Sequence, residues 1–103
     1  MMDYDLDGKK VAVLATDGFE EVELIEPLRV LKEADATVHI VAPHKGTIKA
    51  WDKDSWSDDY DVDKDLDSVK AVVYDALVLP GGVLNPDQLR TDTRAIQFVS
   101  HFL

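Results

Sequence analysis

The first part of the chain alternates between apolar runs and an amphipathic segment. Val11 to Ala15 is an unbroken apolar run, which is typical of a strand buried on both faces of a parallel sheet. The stretch up to Ala34 predicts a helix with one apolar face, formed by Leu24, Leu28 and Leu31 with Ile25 beside it. A second strand is predicted over residues 36–42, before Pro43. This strand–helix–strand order indicates an α/β fold with a parallel, right-handed crossover.

Three local signals bear on the ends of this helix. Asp17 and Glu20 have the spacing of a capping box, which predicts that the helix begins near Asp17. Pro27 lies deep in the pattern, where it removes a hydrogen bond and crowds the preceding turn, so a kink or an irregular first segment is expected. Asp35 tolerates the left-handed backbone that ends many helices, although glycine would suit that position better.

The middle of the chain is less regular. Residues 47–51 predict a short strand, and residues 52–67, which include eight aspartates, predict either a solvated loop or an edge hairpin. The apolar run at 76–79 predicts another buried strand, which ends at Pro80.

Two short helices are predicted near the end of the sequence. Asn85 and Pro86 suit an N-cap and a first helical residue, so a short helical turn is expected through Arg90. Thr91 or Asp92 should then cap a last helix. Its inward face is expected to comprise Ala95, Ile96, Val99, Phe102 and Leu103.

Composition fits one globular domain and narrows the classes of partner. Of the 103 residues, 46% are hydrophobic and 31% are charged, a balance typical of folded rather than disordered chains. The net charge of −10 repels phosphate backbones and anionic lipids, so neither nucleic acid nor a membrane is an expected partner. The N-terminus is acidic where a signal peptide would be basic, and a cytoplasmic location is expected.

The chain contains no cysteine, which excludes disulfides, thiolate metal sites and a cysteine nucleophile within these residues. Alternate aspartates at 59–63 resemble a calcium loop, but Lys64 stands where that loop requires glycine and Lys70 where it requires a bidentate glutamate. A solvated acidic surface explains this segment better. The three histidines lie apart along the chain and are interpreted as structural. Neither a metal nor a cofactor is therefore predicted.

Two segments that follow predicted strands carry candidate chemistry. Open α/β sheets bind ligands at the carboxyl ends of their strands. Paired glycines let the backbone approach another atom closely and direct N–H groups at a developing oxyanion. An acidic surface turn and an ordinary tight turn are the alternative interpretations of the two segments. The residues concerned are Asp17, Glu20, Glu21 and Glu23 in the first segment, and Gly81 and Gly82 in the second.

Taken together and in order, these segments resemble the PfpI-type intracellular protease family. That family belongs to the class I glutamine amidotransferase-like superfamily, which also holds glyoxalase III-type and deglycase-type stress proteins. The resemblance runs from about Gly8 to Leu103 and implies a flavodoxin-like, doubly wound, mostly parallel sheet with helices on both faces. It is carried by GKKVAVLATDGFEEVEL at 8–24 with Pro27, YDALVLPGG at 74–82 and NPDQLR at 85–90.

The resemblance also implies roles for individual residues. Glu23 matches a glutamate that hydrogen-bonds the nucleophilic thiol, as the neutral acid, and Gly82 matches a donor of an oxyanion-hole N–H. Asp87 is similar to an acid that orients the catalytic histidine, often across a subunit interface. Glu20 matches a second acid that lines the cleft, and Gly81 allows the turn. The implied catalytic residues are thus Glu23, Asp87 and Gly82, with Glu20 and Gly81 as binding residues.

The sequence departs from the family pattern at its end. The family's nucleophilic cysteine and adjacent histidine follow the helix equivalent to residues 93–103, and His101 is not that histidine. Residues 1–103 are therefore expected to be the N-terminal portion of a single PfpI-like domain, truncated before the nucleophile-elbow strand and inactive alone. The complete protein is expected to be a stress-related cysteine-dependent hydrolase or lyase. Its substrate would be a peptide, a small reactive carbonyl compound such as a 2-oxoaldehyde, or a glycated adduct.

A missing elbow strand would leave a sheet edge and apolar helix faces uncovered. A homo-oligomer or a complementing C-terminal chain is therefore the expected partner. The alternative function is a non-catalytic interaction or chaperone-like protein that lacks the thiol by design on the same scaffold. Codons for a cysteine–histidine pair soon after Leu103 would favour the enzyme, and a stop codon would favour the alternative.

Overall fold

A computed structural model of the protein describes residues 5–82 and 85–103, with the side chains of 85 and 86 left aside. A single 3₁₀ turn, Ala71–Val73, precedes the last strand. The elements in chain order are β1 (Lys10–Leu14), β2 (Phe19–Glu20), α1 (Glu21–Glu33), β3 (Thr37–Ala42), β4 (Thr47–Asp52), β5 (Ser55–Asp61), β6 (Lys64–Asp65), β7 (Ala76–Val78), α2 (Asn85–Arg90) and α3 (Thr93–Ser100).

The strands form two sheets. The larger sheet is parallel throughout, in the order β6-β3-β1-β7. The smaller sheet, β2-β4-β5, joins a parallel pair to an antiparallel hairpin. The predicted parallel α/β arrangement is confirmed. For residues 52–67, the hairpin is the interpretation that the structure supports.

Strand β1 is buried on both faces because its alternate residues belong to separate cores. Ala12 and Leu14 pack into a cluster that contains Ala95 and Phe98 of α3. Val13 packs into a second cluster, whose other members come mainly from α1, β2, β3 and β4. Helices α1 and α3 thus cover opposite faces of the large sheet, as the doubly wound prediction requires.

Helix α1 begins at Glu21 rather than near Asp17. Its N-cap is Glu20, which makes no side-chain capping hydrogen bond. The Asp17 carboxylate instead accepts a hydrogen bond from the Lys49 N–H at 2.8 Å. The capping-box prediction is wrong because the residues after β1 pair with the hairpin as β2 before the helix starts. The helix then continues through Pro27 as one element.

The end of α1 follows the sequence signal. Asp35 adopts a left-handed conformation with φ of 68°. Its N–H donates to the Lys32 carbonyl, and the Ala36 N–H donates to the Leu31 carbonyl, both at 3.0 Å. These two bonds form a Schellman motif, which satisfies carbonyl groups left over at the helix end.

The inward face predicted for α3 is only partly right. Ala95 is buried as expected, but the second buried residue is Phe98, while Ile96 is 49% exposed and Leu103 is 98% exposed. Both exposed residues line an open apolar groove of about 380 Å³ between α3 and the end of β7, here called the β7 groove. Ile96 and Leu103 therefore face other apolar side chains, but they are not buried because the groove that they line is open. Nothing in the described part of the chain fills it.

No helix within residues 5–82 and 85–103 combines the length and the apolar character needed to cross a lipid bilayer.

Candidate functional site

The two segments singled out by the sequence meet at the carboxyl end of the parallel sheet. Strands β1 and β7 are neighbours, so the loops that follow them lie side by side. The Glu20 N–H donates a hydrogen bond to the Gly81 carbonyl at 2.8 Å. The Gly81 N–H in turn donates to Glu23 Oε1 at 2.8 Å. The structure therefore brings Glu20, Glu23 and Gly81 together, and their chemical roles stay predictions.

Gly81 leaves room for the Glu23 carboxylate. A Cβ atom placed on Gly81 would lie 2.9 Å from Glu23 Oε1 and 3.4 Å from Oε2. Any side chain at this position would therefore push the carboxylate off the Gly81 amide. The absence of a side chain at Gly81 therefore permits this hydrogen bond.

Gly82 is confined by backbone rather than by a side chain. Its φ of +131° is disfavoured for other residues, and a Cβ there would lie 2.6 Å from the Gly18 carbonyl oxygen. Within the described residues, no acceptor pairs with the Gly82 N–H, whereas the Gly81 N–H is already bonded to Glu23. Of the two glycine amides, that of Gly82 is the one left for a ligand.

The first-loop acids have different environments. Asp17 is bonded to the Lys49 backbone, as described above. Glu21 accepts hydrogen bonds from Ser57 Oγ at 2.9 Å and Tyr60 Oη at 2.7 Å, which tie α1 to β5. Partial burial raises the pKa of Tyr60, and the hydrogen bond to the Glu21 carboxylate raises it further. Asp17 and Glu21 thus hold the hairpin in place, whereas the Glu23 carboxylate faces the glycine loop.

The hairpin forms a wall beside Glu20, a feature that sequence reasoning missed. Glu20 is the pairing partner of Trp51 between β2 and β4. The Trp51 ring meets Trp56 edge to face, with ring centres 5.2 Å apart. The Lys53 N–H lies 3.4 Å from Glu20 Oε1. The two tryptophans stand out in the sequence because aspartates surround them. Periodicity alone does not show that they lie beside the first loop.

Asp87 lies at the edge of this arrangement. It sits on α2, is exposed, and its Oδ1 accepts a hydrogen bond from Arg90 Nη2 at 2.8 Å. The neighbouring Gln88 Nε2 lies 3.4 Å from the Asp17 carbonyl oxygen, which places α2 over the first loop. Among the residues described, Asp87 bonds to Arg90 and not to Glu20, Glu23 or either glycine. The role of Asp87 stays a prediction.

The arrangement as a whole offers acid and amide groups. Within the described ranges, no three acidic or histidine side chains are grouped so that they could hold a metal ion. What the site does present is one carboxylate fixed by an amide, a second acid beside the hairpin wall, and an amide available to an oxygen ligand. These groups suit hydrogen bonding to a reacting carbonyl compound.

Comparison with known proteins gives consistent matches. Residues 9–103 match the DJ-1/PfpI family. General stress protein 18 of Bacillus subtilis is 39% identical over 97 residues, and protein/nucleic acid deglycase 2 of Escherichia coli is 37% identical over 96 residues. Each alignment covers 93% of this chain and 54% of the relative. The chain therefore spans about half the length of these relatives.

A solved structure agrees with the sequence matches. It is the crystal structure of a cysteine-to-alanine variant of the DJ-1 superfamily protein STM1931 from Salmonella typhimurium. The TM-score is 0.79 at 32% identity, and the match covers 90% of this chain and 49% of that one. The α/β fold described above is therefore shared with that structure over about half of its length.

Proposed function

The chain belongs to the DJ-1/PfpI family, and we propose that it supplies the acid and amide half of a cysteine-dependent active site. The complete protein would be a hydrolase or lyase that acts on reactive carbonyl compounds, glycated adducts or peptides in a cytoplasmic stress response. The stress-protein and deglycase names of the relatives support this proposal. The net charge of −10 favours aldehydes or protein adducts over nucleic acid as substrates.

In the proposed reaction, a thiolate from the second half of the protein attacks the carbonyl carbon of the substrate. The electron pair of the carbonyl bond moves to oxygen, where the Gly82 N–H stabilises the developing oxyanion. Glu23 hydrogen-bonds the thiol and fixes its orientation. A histidine from the second half of the protein, oriented by Asp87, accepts the thiol proton to form the thiolate and then donates it to the oxyanion of the adduct. This chain has no cysteine and would be inactive alone.

One observation carries the proposal more than any other. The backbone of Gly81 is held between the Glu20 N–H and the Glu23 carboxylate, so the acid on α1 is fixed against the glycine loop, whose Gly82 amide has no acceptor among the described residues. The β7 groove opens beside this loop, since Leu79, Pro80 and Gly81 line its wall. A nucleophile carried by a segment in that groove would lie next to the acid.

Replacement of Glu23 tests this proposal in the full-length protein. We expect Glu23→Gln to lower kcat/KM for a 2-oxoaldehyde by about 100-fold or more, because the acid that orients the thiol is lost. Steady-state kinetics measure the effect. Glu33→Gln is the matched control, since Glu33 lies exposed at the far end of α1 and, among the described residues, pairs with Arg29 alone. Unchanged kinetics for Glu23→Gln would remove its assigned role.

A non-catalytic interaction protein is the second candidate function. The observation that favours it is the β7 groove, because an open apolar groove of about 380 Å³ suits an apolar peptide segment. The sequence of the gene after Leu103 separates the two candidates. A cysteine–histidine pair soon after that codon supports the enzyme, and a stop codon supports the interaction protein.

A further inference from the structure

Glu20 and Glu23 occupy the N-cap and N3 positions of α1. In a capping box, the N3 carboxylate folds back and accepts the N–H of the N-cap residue. Here these two groups do not pair with each other. The Glu20 N–H donates to the Gly81 carbonyl, and Glu23 Oε1 accepts from the Gly81 N–H, both at 2.8 Å. The backbone of Gly81 is thus inserted between the two halves of a capping box.

We propose that Gly81 is a positioning residue whose amide holds the Glu23 carboxyl group out of the capping box and turned toward the reaction site. This inference rests on the proposed function, because it assigns a means of orienting Glu23. In a capping box, the backbone donor for a carboxylate at N3 is the N-cap N–H of its own helix, which here donates to the Gly81 carbonyl instead. Glu23 in that conformation would satisfy α1 and turn away from the thiol.

The hydrogen bond from the Gly81 N–H also determines which oxygen of the Glu23 carboxyl group would donate to the thiol. An N–H donor is accepted best by the carbonyl oxygen of a neutral carboxyl group. With Oε1 bonded to the Gly81 amide, a proton taken up by Glu23 would reside on Oε2. Oε2 is therefore the oxygen that would donate to the thiol. The Gly81 N–H is used in this bond, so Gly82 alone contributes a glycine amide to the oxyanion.

The absence of a side chain at Gly81 makes the arrangement possible and also makes it testable. A Cβ would lie 2.9 Å from Glu23 Oε1, which is the end of a flexible side chain that can move. Gly81→Ala should therefore displace the carboxyl group and leave the fold intact. At Gly82 the same change would strike backbone atoms, so the two adjacent glycines give separable effects.

Amide hydrogen exchange in this chain tests the bond directly. We expect Glu23→Ala to speed exchange of the Gly81 amide by about tenfold or more, since the hydrogen bond that protects this amide is lost. Glu23→Gln should restore protection, because its side-chain oxygen still accepts. Glu26→Ala is the control: Glu26 is exposed on the same helix and pairs with Arg29. Preserved protection of the β1 amides identifies variants that are folded.

Kinetics of the full-length protein test the positioning role. Gly81→Ala should lower kcat about tenfold or more with little change in KM, and should add nothing further in a Glu23→Gln background. Equal Gly81 exchange in wild type and Glu23→Ala would overturn the inference even if Glu23→Gln is inactive. Full activity of Glu23→Gln would instead overturn the proposed function, whatever the exchange data show. Additive kinetic losses would also contradict the positioning role.

Discussion

At the scale of single residues, the adjacent glycines after β7 are required for different physical reasons. Gly81 leaves space for a carboxylate, whereas Gly82 combines a φ of +131° with a close approach to the Gly18 carbonyl. The first restriction concerns the position of a functional group. The second concerns the backbone itself, and it should therefore appear as a loss of folding stability.

Substitution of Gly82 by alanine should destabilise the protein by at least about 2 kcal/mol, because backbone strain and a backbone clash act together. Urea-induced unfolding measures the free energy. Gly46→Ala is the matched control, since Gly46 has φ of +101° but no atom within 4 Å of the added Cβ. The control should lose less stability. Equal losses for the two variants would show that the contact with Gly18 contributes nothing.

Individual residues also show how far the site could be predicted from sequence. The acids of the first loop and the paired glycines were found because residue type and strand ends are local signals. Local sequence signals could not show that the N-cap of α1 is Glu20 and not Asp17. The Asp17 carboxylate is bonded to the backbone of Lys49, which lies 32 positions away. The partner of Glu21, Tyr60, lies 39 positions away. Contacts at such separations depend on the pairing of β2 with the hairpin.

At the scale of elements, the structure decides which of two candidate residues caps α3. The sequence predicts either Thr91 or Asp92. Asp92 is the N-cap: its Oδ1 accepts from the Arg94 N–H at 2.9 Å and the Ala95 N–H at 3.4 Å. Its Oδ2 also accepts from Arg94 Nη2 at 2.8 Å. The hydrogen bonds from Arg94 hold the pKa of Asp92 below its usual value.

We expect Asp92→Ala to reduce stability by about 1–2 kcal/mol at pH 7, because the helix loses its cap. Asp92→Asn should lose less, since its side-chain oxygen still caps the helix. A lowered folded-state pKa means that the charge-dependent part of the stability is present above about pH 4 and is lost as the pH falls through the folded value. The difference between wild type and Asp92→Asn should therefore shrink on acidification. Thermal unfolding from pH 7 to pH 3 measures it, and a constant difference would argue against the charge contribution.

Element prediction succeeded where local pattern and tertiary packing agree. Strand β1 was found from its apolar run because both of its faces are buried in this chain. The prediction of the inward face of α3 was partly wrong because there the local pattern and the packing disagree. Ile96 and Leu103 have the spacing of core residues but line the open β7 groove. A periodic pattern reports an apolar surface and cannot tell which segment covers it.

At the scale of the whole molecule, the described part of the chain leaves the β7 edge of the large sheet uncovered. Within the described residues, β7 pairs only with β1, so its other edge carries unpaired backbone groups. Leu79, Ile96 and Leu103 expose apolar surface beside that edge. The matched region covers 54% of each of the two relatives named above.

Isolated chains should self-associate through the β7 groove, because an exposed apolar groove next to an open strand edge favours pairing between copies. Sedimentation equilibrium over a range of concentrations measures the association. Ile96→Glu should weaken it by about tenfold or more, since a charge then enters the groove. Ile25→Glu, on an exposed position of α1 outside the groove, should leave it unchanged. A monomer with a cooperative, high-temperature unfolding transition would contradict this expectation.

The bond between Gly81 and Glu23 has a consequence for biosynthesis. Both partners, and the strands that position them, lie within the first 82 residues. On a ribosome, residues 5–82 emerge before α2 and α3, whose Leu89, Ala95 and Phe98 complete one of the two cores, and domains generally fold as units. The bond should therefore form together with the fold of the whole chain, and any nucleophile that a complete protein brings to this loop would meet a carboxyl group already held in place.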